Sequence, residues 1–349
     1  MRAVVYQRPG HFEVTDVPDP RPGPGEVLLE SVAAGVCGTD LHLLAGEFLA
    51  RYPLIPGHEI VGRVAELGEG VTGLGVGELV AADNTVLCGS CFFCRRDQPL
   101  FCRDFTSLGC NAPGAFAERL TVRADKCFPL DGLDPMVAVM TEPLACAMHG
   151  ADVLRLRPGS DVLVFGAGPT GLLLAQLLLH GGAARVTVAA PSEHKLALAR
   201  RFGADETVPI SRDDPAGALR ELKEIAPYGF DAVVEATGSV EVLEACPGLA
   251  MDGGTVLVYG VAREQDRARL SPYEIFSREL RVQGSFAQTH CFDRALLALR
   301  SGRVRTDGIV SDVVGLDDHA SALAAVRSSH SVKAVVAAGR DRPQRRVAG

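Results

Sequence analysis

Apolar and polar residues alternate in two different ways along the chain, and the change falls near Asp161. Before it, short runs rich in Val, Leu and Ala are separated by Gly and Pro, in the order MRAVVY, GEVLLESVAAGV, EIVGRVAELG, GELVAA and AFAERLTV. Runs of this kind predict β-strands. From Asp161 onward, compact apolar strands alternate with segments of helical length, in the order DVLVFGAG, TGLLLAQLLLHGG, ARVTVAA, HKLALARRFGA, FDAVVEATG and GGTVLVYGV. This alternation predicts a parallel sheet with helices on both faces, and therefore an α/β fold.

The length and composition narrow the class of protein. A chain of 349 residues exceeds what one hydrophobic core organises well, so we expect two domains. No apolar run reaches the roughly 18 residues that a membrane helix needs, and the start, MRAVVYQRPG, lacks the apolar stretch of a signal peptide, which favours a cytoplasmic location. The net charge of −8 disfavours nucleic acid, because binding to phosphates requires a basic surface. We therefore expect a small-molecule partner, and neither nucleic acid nor a membrane.

A glycine-rich turn follows the first strand of the alternating region. The segment GAGPTG matches the pattern G-x-G-x-x-G, directly after the strand at 162–165 and before an apolar helix. In such a turn the first glycine forms the tight bend, the second allows a pyrophosphate to approach and the third lets the helix pack on the strand, while the helix N-terminus attracts the phosphates. The sequence therefore predicts a dinucleotide site at Gly166, Gly168, Pro169, Thr170 and Gly171.

The end of the next strand carries information about which dinucleotide binds. Where an acidic residue would bond the adenosine ribose, the chain has Ala190, which leaves room and puts no negative charge near a 2′-phosphate. Ser192 and Lys195 follow and could contact that phosphate, so NADP(H) is favoured over NAD(H). In the alternative interpretation, Ser192 is a helix N-cap, the basic residues form a solvated face and Glu193 bonds the ribose.

Four of the ten cysteines lie close together, in the pattern C-x2-C-x2-C-x7-C: Cys88, Cys91, Cys94 and Cys102. Four thiolates complete the tetrahedral shell of Zn²⁺ and leave no position for water, so the pattern predicts a structural zinc. The alternatives are a disulfide pair and accidental clustering. The missing secretion signal disfavours the disulfides, and the regular spacing disfavours accident.

A second set of polar residues combines a thiol, imidazoles and carboxylates in three short motifs. They are Cys37, Thr39 and His42 in CGTDLH, His58 and Glu59 in PGHE, and Glu142 in TEPL. A catalytic zinc uses this mixture of ligands when it keeps one position open for substrate.

Together the motifs resemble a known enzyme family. CGTDLH, PGHEIVG, CGSCFFC with its fourth cysteine, TEPLACAMH and VFGAGPTGLLLAQLL occur in the order and spacing found in the zinc-containing medium-chain dehydrogenase/reductase family. The glutamate of the TEP motif makes the chain most similar to the polyol branch, which includes sorbitol, arabinitol and threonine dehydrogenases. The resemblance implies a GroES-like β-rich catalytic domain at 1–150 and 286–349 with a structural zinc lobe at 88–102. It also implies a Rossmann coenzyme domain at 151–285 and a homodimer or homotetramer.

The resemblance also implies which residues bind the catalytic metal. Cys37 and His58 would bind a zinc ion, with Glu59 or Glu142 supplying the carboxylate. With the structural site, this makes two zinc ions per chain.

Other positions would act on the substrate. Thr39 would contact the substrate hydroxyl and His42 would pass its proton to solvent, while the zinc would stabilise the developing alkoxide. Asp40 and His149 would have supporting or structural roles.

The chain departs from sorbitol dehydrogenases at the position of an Arg–Tyr pair that grips the polyol, because Phe286, Ala287 and Gln288 stand there. Phe286 would line the pocket, and Gln288 or His290 could still bond a hydroxyl. We therefore expect an NADP(H)-preferring dehydrogenase of a secondary alcohol, namely a polyol or a cyclic polyhydroxy compound. The alternatives are an NADPH-dependent reductase of an aldehyde or natural-product ketone, and a non-catalytic protein that binds zinc and a dinucleotide.

Overall fold

The computed structural model describes residues 1–211, 215–328 and 330–338, and the chain divides into two compact units. The first consists of Met1–Glu142 and Thr289–Gly349, and the second of Pro143–Gln288. Within the described residues, no helix is both long enough and apolar enough to cross a membrane.

The first unit is built on a seven-stranded sheet. Its elements are β1 (Arg2–Arg8), β2 (His11–Asp16), β3 (Glu26–Val36), α1 (Gly38–Ala45), β4 (Glu59–Leu67), β5 (Leu79–Ala82), β6 (Thr85–Val86), β7 (Thr106–Ser107), β8 (Arg119–Arg123), β9 (Cys127–Pro129), α2 (Pro135–Ala138), α9 (Phe292–Arg300), β16 (Val310–Val314), α10 (His319–Arg327) and β17 (Lys333–Val336). The strand order is β16-β17-β3-β4-β5-β9, and β8 also pairs with β3. The C-terminal strand β17 therefore lies directly beside β3, although the two are far apart in sequence.

The second unit contains a parallel sheet of six strands. Its elements are α3 (Thr141–Leu154, of which the first two residues belong to the first unit), β10 (Asp161–Phe165), α4 (Pro169–His180), β11 (Arg185–Ala190), α5 (Glu193–Arg201), β12 (Glu206–Pro209), α6 (Pro215–Ile225), β13 (Phe230–Glu235), α7 (Val240–Ala245), β14 (Ala250–Val258), α8 (Pro272–Ser277) and β15 (Arg281–Gly284). The strand order is β12-β11-β10-β13-β14-β15, with parallel pairing throughout. The α/β fold expected from the alternation of strands and helices is confirmed.

The order of the parallel strands locates a ligand-binding crevice. From β10 the chain continues through β11 and β12 on one side, and then crosses to β13, β14 and β15 on the other. The turns after β10 and β13 therefore diverge at the carboxyl edge of the sheet, and a gap of this kind is where ligands bind in open α/β sheets. The glycine-rich turn follows β10 and lies at this gap.

Two helices lie within segments for which the strand-like pattern predicted no helix. Helix α1 contains the CGTDLH motif from Gly38, and α3 contains TEPLACAMH. Gly38, Thr39 and His42 have modest intrinsic helix propensity, so α1 depends on its caps and on packing rather than on an amphipathic repeat. Asp40 accepts from the backbone N–H of Cys37 at 2.8 Å, and Gly46 ends the helix in a left-handed conformation with φ 87°.

Candidate active site and cofactor crevice

The ends of β3 and β4 bring three candidate metal ligands together. Cys37 follows β3 and is the N-cap residue of α1, while Glu59 is the first residue of β4 and follows His58. One ligand atom from each residue lies within 4.8 Å of the others, and His58 and Glu59 are buried. These are three of the residues for which the sequence predicted zinc binding.

The Glu59 carboxylate is held in one orientation from two sides. Lys333 of β17 makes a buried ion pair with Oε1, and Gly35 of β3 lies opposite Glu59 in the antiparallel pair. A Cβ atom at Gly35 would overlap Oε2. Among the described residues Oε2 is buried and has no hydrogen-bond partner, which leaves it available to a cation.

The buried ammonium of Lys333 is kept charged by its neighbours. Burial by itself lowers the pKa of Lys333, but the charges of Glu59 and Cys37 and the hydrogen bond to Glu59 outweigh it, so the pKa is raised above its ordinary value. The more distant Glu142 acts in the same direction. Sulfur, imidazole nitrogen and carboxylate oxygen are the donors that Zn²⁺ binds, and the unpartnered oxygen shows that this cluster fits such an ion.

Two other predicted residues lie around this cluster. Asp40 is fully buried, and its Oδ1 lies 3.6 Å from Nδ1 of His58 while its Oδ2 accepts from the backbone of Cys37. It therefore contacts the surroundings of two candidate ligands, as a supporting residue would. Glu142, at the start of α3, is not part of the three-ligand cluster in the described structure.

The candidate proton-transfer residues follow one face of α1. The Thr39 hydroxyl lies 3.7 Å from the Cys37 sulfur. His42 is three residues further along, so it lies on the same face of the helix. The Nδ1 atom of His42 is 2.6 Å from Oε2 of Glu47, a residue that the sequence analysis did not single out.

The four-cysteine lobe gathers its sulfur atoms around one point. The Sγ atoms of Cys88, Cys91, Cys94 and Cys102 all lie within 4.8 Å of one another, and none forms a disulfide. Hydrogen bonds from backbone N–H groups lower the pKa of Cys88. Hydrogen bonds from the backbone of Cys94 and Arg103 lower the pKa of Cys91 to about 6. Burial, in contrast, raises the pKa of Cys94 to about 12. Four convergent thiols with aligned backbone donors fit a tetrahedral Zn²⁺.

The glycine-rich turn has the geometry that the motif predicts. Gly166 has φ 108°, and Gly168 is the N-cap of α4, which begins at Pro169. A Cβ atom at Gly171 would overlap the Gly166 carbonyl, whereas one at Gly168 would meet nothing within 4 Å. Gly171 is therefore required for packing, and Gly168 borders open space at the helix N-terminus, where a pyrophosphate would bind.

The other side of the crevice is organised by Glu235, which sequence reasoning missed. Its buried carboxylate accepts from the N–H groups of Thr237 at 2.6 Å and Gly238 at 2.9 Å, and also from the Thr237 hydroxyl. Its backbone carbonyl accepts from the N–H groups of Tyr259 and Gly260. Glu235 thus joins the turn after β13 to the end of β14. An acidic residue at the end of the apolar run FDAVVE was the available sequence signal.

The end of β11 contains the residues that were predicted to distinguish NADP(H) from NAD(H). Ala190 is buried at the last position of the strand, and Ser192 is the N-cap of α5, without a capping hydrogen bond from its side chain. Glu193, the alternative ribose ligand, forms an ion pair with Arg200. Lys195 is half-buried, which lowers its pKa.

The predicted substrate residues follow β15. Phe286 is 40% exposed, whereas Gln288 is buried. Ala287 and His290 have positive φ values, 48° and 55°, so the backbone of this segment turns sharply. His149 on α3 has a pKa lowered by burial, consistent with a structural role.

Comparison with known proteins identifies the class. Residues 23–132 match the alcohol dehydrogenase GroES-like domain, and residues 169–301 match the zinc-binding dehydrogenase domain. D-arabinitol dehydrogenase 1 of Uromyces fabae is 44% identical over 96% of this chain and 97% of its own length, and D-altritol 5-dehydrogenase of Agrobacterium fabrum is 36% identical over 89% and 90%. A crystal structure from Sinorhizobium meliloti 1021, described as a zinc-binding dehydrogenase bound to NADP, superposes with a TM-score of 0.90 at 33% identity, covering 96% of this chain and 98% of that one.

A GroES-like unit and a dinucleotide-binding parallel sheet in one chain define an alcohol dehydrogenase of the zinc-binding class. The chain belongs to the zinc-containing medium-chain dehydrogenase/reductase family, in its polyol dehydrogenase branch. The family assignment made from the five sequence motifs is confirmed.

Proposed function

We propose that the protein is a zinc-dependent dehydrogenase that interconverts a polyol, or a cyclic polyhydroxy compound, with its ketone, and that it prefers NADP(H). The observation that carries the proposal is the cluster of Cys37, His58 and Glu59, in which one buried carboxylate oxygen has no hydrogen-bond partner in the described part of the chain. The names of the relatives, D-arabinitol dehydrogenase and D-altritol dehydrogenase, support a polyol as the substrate class.

Three residues of the first unit are the proposed ligands of the catalytic zinc. Cys37, His58 and Glu59 would hold the zinc, with Asp40 supporting His58 and Lys333 balancing the charge of Glu59. When bound, zinc supplies Lewis-acid stabilisation of the negative charge on the substrate oxygen. Glu142 remains the alternative carboxylate, near enough to influence the pKa of Lys333.

The residues proposed to carry the proton of the substrate hydroxyl to solvent lie on α1. The Thr39 hydroxyl, beside the Cys37 sulfur, would contact the substrate hydroxyl, and His42 would pass the proton of that hydroxyl to solvent. Gly166, Gly168, Pro169, Thr170 and Gly171 would hold the dinucleotide, which would supply the acceptor or donor of hydride. Phe286 and Gln288 would contact the carbon chain and a hydroxyl of the substrate.

The preference for NADP(H) rests on the end of β11. Ala190 places no carboxylate there, Glu193 is engaged by Arg200, and Ser192 and Lys195 would contact the 2′-phosphate. A structural neighbour that binds NADP supports this choice.

The test is initial-rate kinetics with NADP⁺ and NAD⁺ over a panel of sugar alcohols and cyclitols, with the reverse reaction of ketones and aldehydes alongside. A kcat/KM at least about tenfold higher with NAD⁺ would overturn the cofactor assignment. Two bound zinc ions without turnover in either direction would overturn the activity.

We also propose a homo-oligomer, a dimer or a tetramer, that uses the edge of the parallel sheet. All four residues of the edge strand β15 are exposed, and Tyr273 and Phe276 of the preceding α8 are 76% and 79% exposed. An exposed edge strand next to apolar side chains favours pairing with another chain. Sedimentation velocity tests this: the double variant Tyr273→Lys, Phe276→Lys should dissociate, and a monomeric wild-type protein would contradict the proposal.

A further inference from the structure

The end of α1 holds His42 against a carboxylate. Gly46 reverses the chain in a left-handed conformation, and the backbone N–H of Glu47 then donates to the carbonyl of His42 at 2.9 Å. The same reversal brings Oε2 of Glu47 to 2.6 Å from Nδ1 of His42. The two side chains are only 20% and 19% exposed. Backbone and side-chain bonds therefore fix the same pair of residues.

The contact determines which nitrogen of the ring carries the proton. An ionised carboxylate can only accept hydrogen bonds, so Nδ1 must be the donor. In the neutral ring Nε2 is then left with a lone pair and can accept a proton. A histidine without a carboxylate partner distributes its proton between both nitrogens.

We propose that Glu47 is a positioning residue of the proton relay, which fixes His42 in the tautomer whose Nε2 can accept the proton released by the substrate. This rests on the function proposed above. The proton released by the substrate hydroxyl reaches Nε2, His42 becomes an imidazolium, and the proton then leaves from Nε2 to water. The Glu47 carboxylate stabilises the imidazolium with a charge-assisted hydrogen bond.

The alternative is that the pair merely fastens the end of α1. Surface ion pairs contribute little to stability, but this one is four-fifths buried and its short distance is that of a charge-assisted bond. It also lies one turn from Thr39, whose hydroxyl is beside a candidate metal ligand. Both roles need the Nδ1–H donor, but only the positioning role makes kcat depend on the tautomer, which makes the two roles distinguishable.

The test combines a spectroscopic signature with kinetics on the zinc-loaded enzyme. Long-range ¹H–¹⁵N spectra of protein labelled in histidine report the tautomer, and a His42→Asn variant assigns the signal. We expect wild-type His42 to be protonated at Nδ1. In Glu47→Gln, whose amide can donate to Nδ1, the proton should shift to Nε2, and kcat should fall by about 10- to 100-fold while the KM for alcohol changes less than about twofold.

Two further variants make the result decisive. Glu47→Asp keeps the charge and should recover both the Nδ1–H signal and most of kcat. Glu13→Gln removes an exposed carboxylate that bonds Gln7, and should change neither. An unchanged tautomer in Glu47→Gln, or a changed tautomer with unaltered kcat, would overturn the proposal. If the wild-type protein shows no turnover, the proposed function fails, and a ring protonated at Nε2 in that protein overturns the role of Glu47 independently.

Discussion

Lys333 and Glu59 form a buried ion pair between two strands, in which the second carboxylate oxygen has no hydrogen-bond partner among the described residues. The lysine satisfies Oε1, and one carboxylate oxygen of Glu59 lies within 4.8 Å of ligand atoms of Cys37 and His58. A carboxylate with one fixed counter-ion and one open oxygen can bind a divalent cation without reorienting.

Replacing Lys333 with Met should destabilise the metal-free protein by about 3–5 kcal/mol, because the variant leaves the Glu59 charge buried without its partner. Urea unfolding with and without zinc measures the effect, and zinc should reduce it because the ion then balances the carboxylate. The double variant Lys333→Met, Glu59→Gln should lose less stability than Lys333→Met alone. If the losses of unfolding free energy caused by the two substitutions simply add, the side chains of Lys333 and Glu59 are not coupled.

Gly35→Ala should weaken zinc binding at the catalytic site. The added Cβ would overlap Oε2 of Glu59, so the carboxylate must change its orientation within the three-ligand cluster. Competition with a chromogenic chelator should show an affinity lower by at least about tenfold, the size seen when residues supporting metal ligands are changed. Gly38→Ala is the matched control, since its Cβ would meet nothing within 4 Å. Equal zinc affinity in the two variants would exclude this role for Gly35.

Cys94→Ser should remove one zinc ion per chain and lower the melting temperature by about 5 °C or more. Cys94 is one of four thiols that converge on one point in the lobe, and its loss leaves an incomplete shell. Metal analysis and thermal denaturation provide the measurements. Cys246→Ala, which changes a buried cysteine in the parallel-sheet unit, should keep both ions. Full zinc content in Cys94→Ser would contradict the structural site.

The protein should lose stability as the pH falls below about 6.5, partly because of His319. Burial, opposed by the charge of Asp40, lowers the pKa of His319 to about 4, so the unfolded chain takes up its proton first. Folding is favoured while the ring is neutral, and this contribution of about 3 kcal/mol is lost as the pH falls from 6.5 toward 4. The free energy of unfolding, measured with urea across this range, should therefore fall more steeply with decreasing pH in wild type than in His319→Gln. A variant at the exposed His11 should follow wild type, and identical slopes in all three proteins would rule out His319 as the titrating group.

The sequence alone was sufficient to predict those parts of the candidate site that consist of particular residue types within a short segment. The glycine turn and the four cysteines could be found from spacing, because each needs particular residue types within a short segment, whereas Cys37, His58 and Glu59 were assigned through the resemblance of their motifs to a known family. The parallel sheet followed from alternation of strands and helices.

The residues that were missed act through contacts that spacing does not encode. Lys333 lies 274 positions from Glu59 and meets it because β17 pairs with β3. Its signal was a charged residue inside the apolar run KAVVAAG, which indicates a buried partner. Glu47 was missed because its contact depends on the turn at Gly46, and α1 and α3 were missed because functional polar residues interrupt their apolar repeat.

The pairing of β17 with β3 also has a consequence for the order of assembly. A chain synthesised from its N-terminus presents all three clustered metal ligands within its first sixty residues, long before the counter-ion at position 333 emerges. During that interval the Glu59 carboxylate has no lysine to balance it, and a cation bound early would fill that role. The Glu59 carboxylate therefore gains its lysine counter-ion only once the strand β17 has paired with β3.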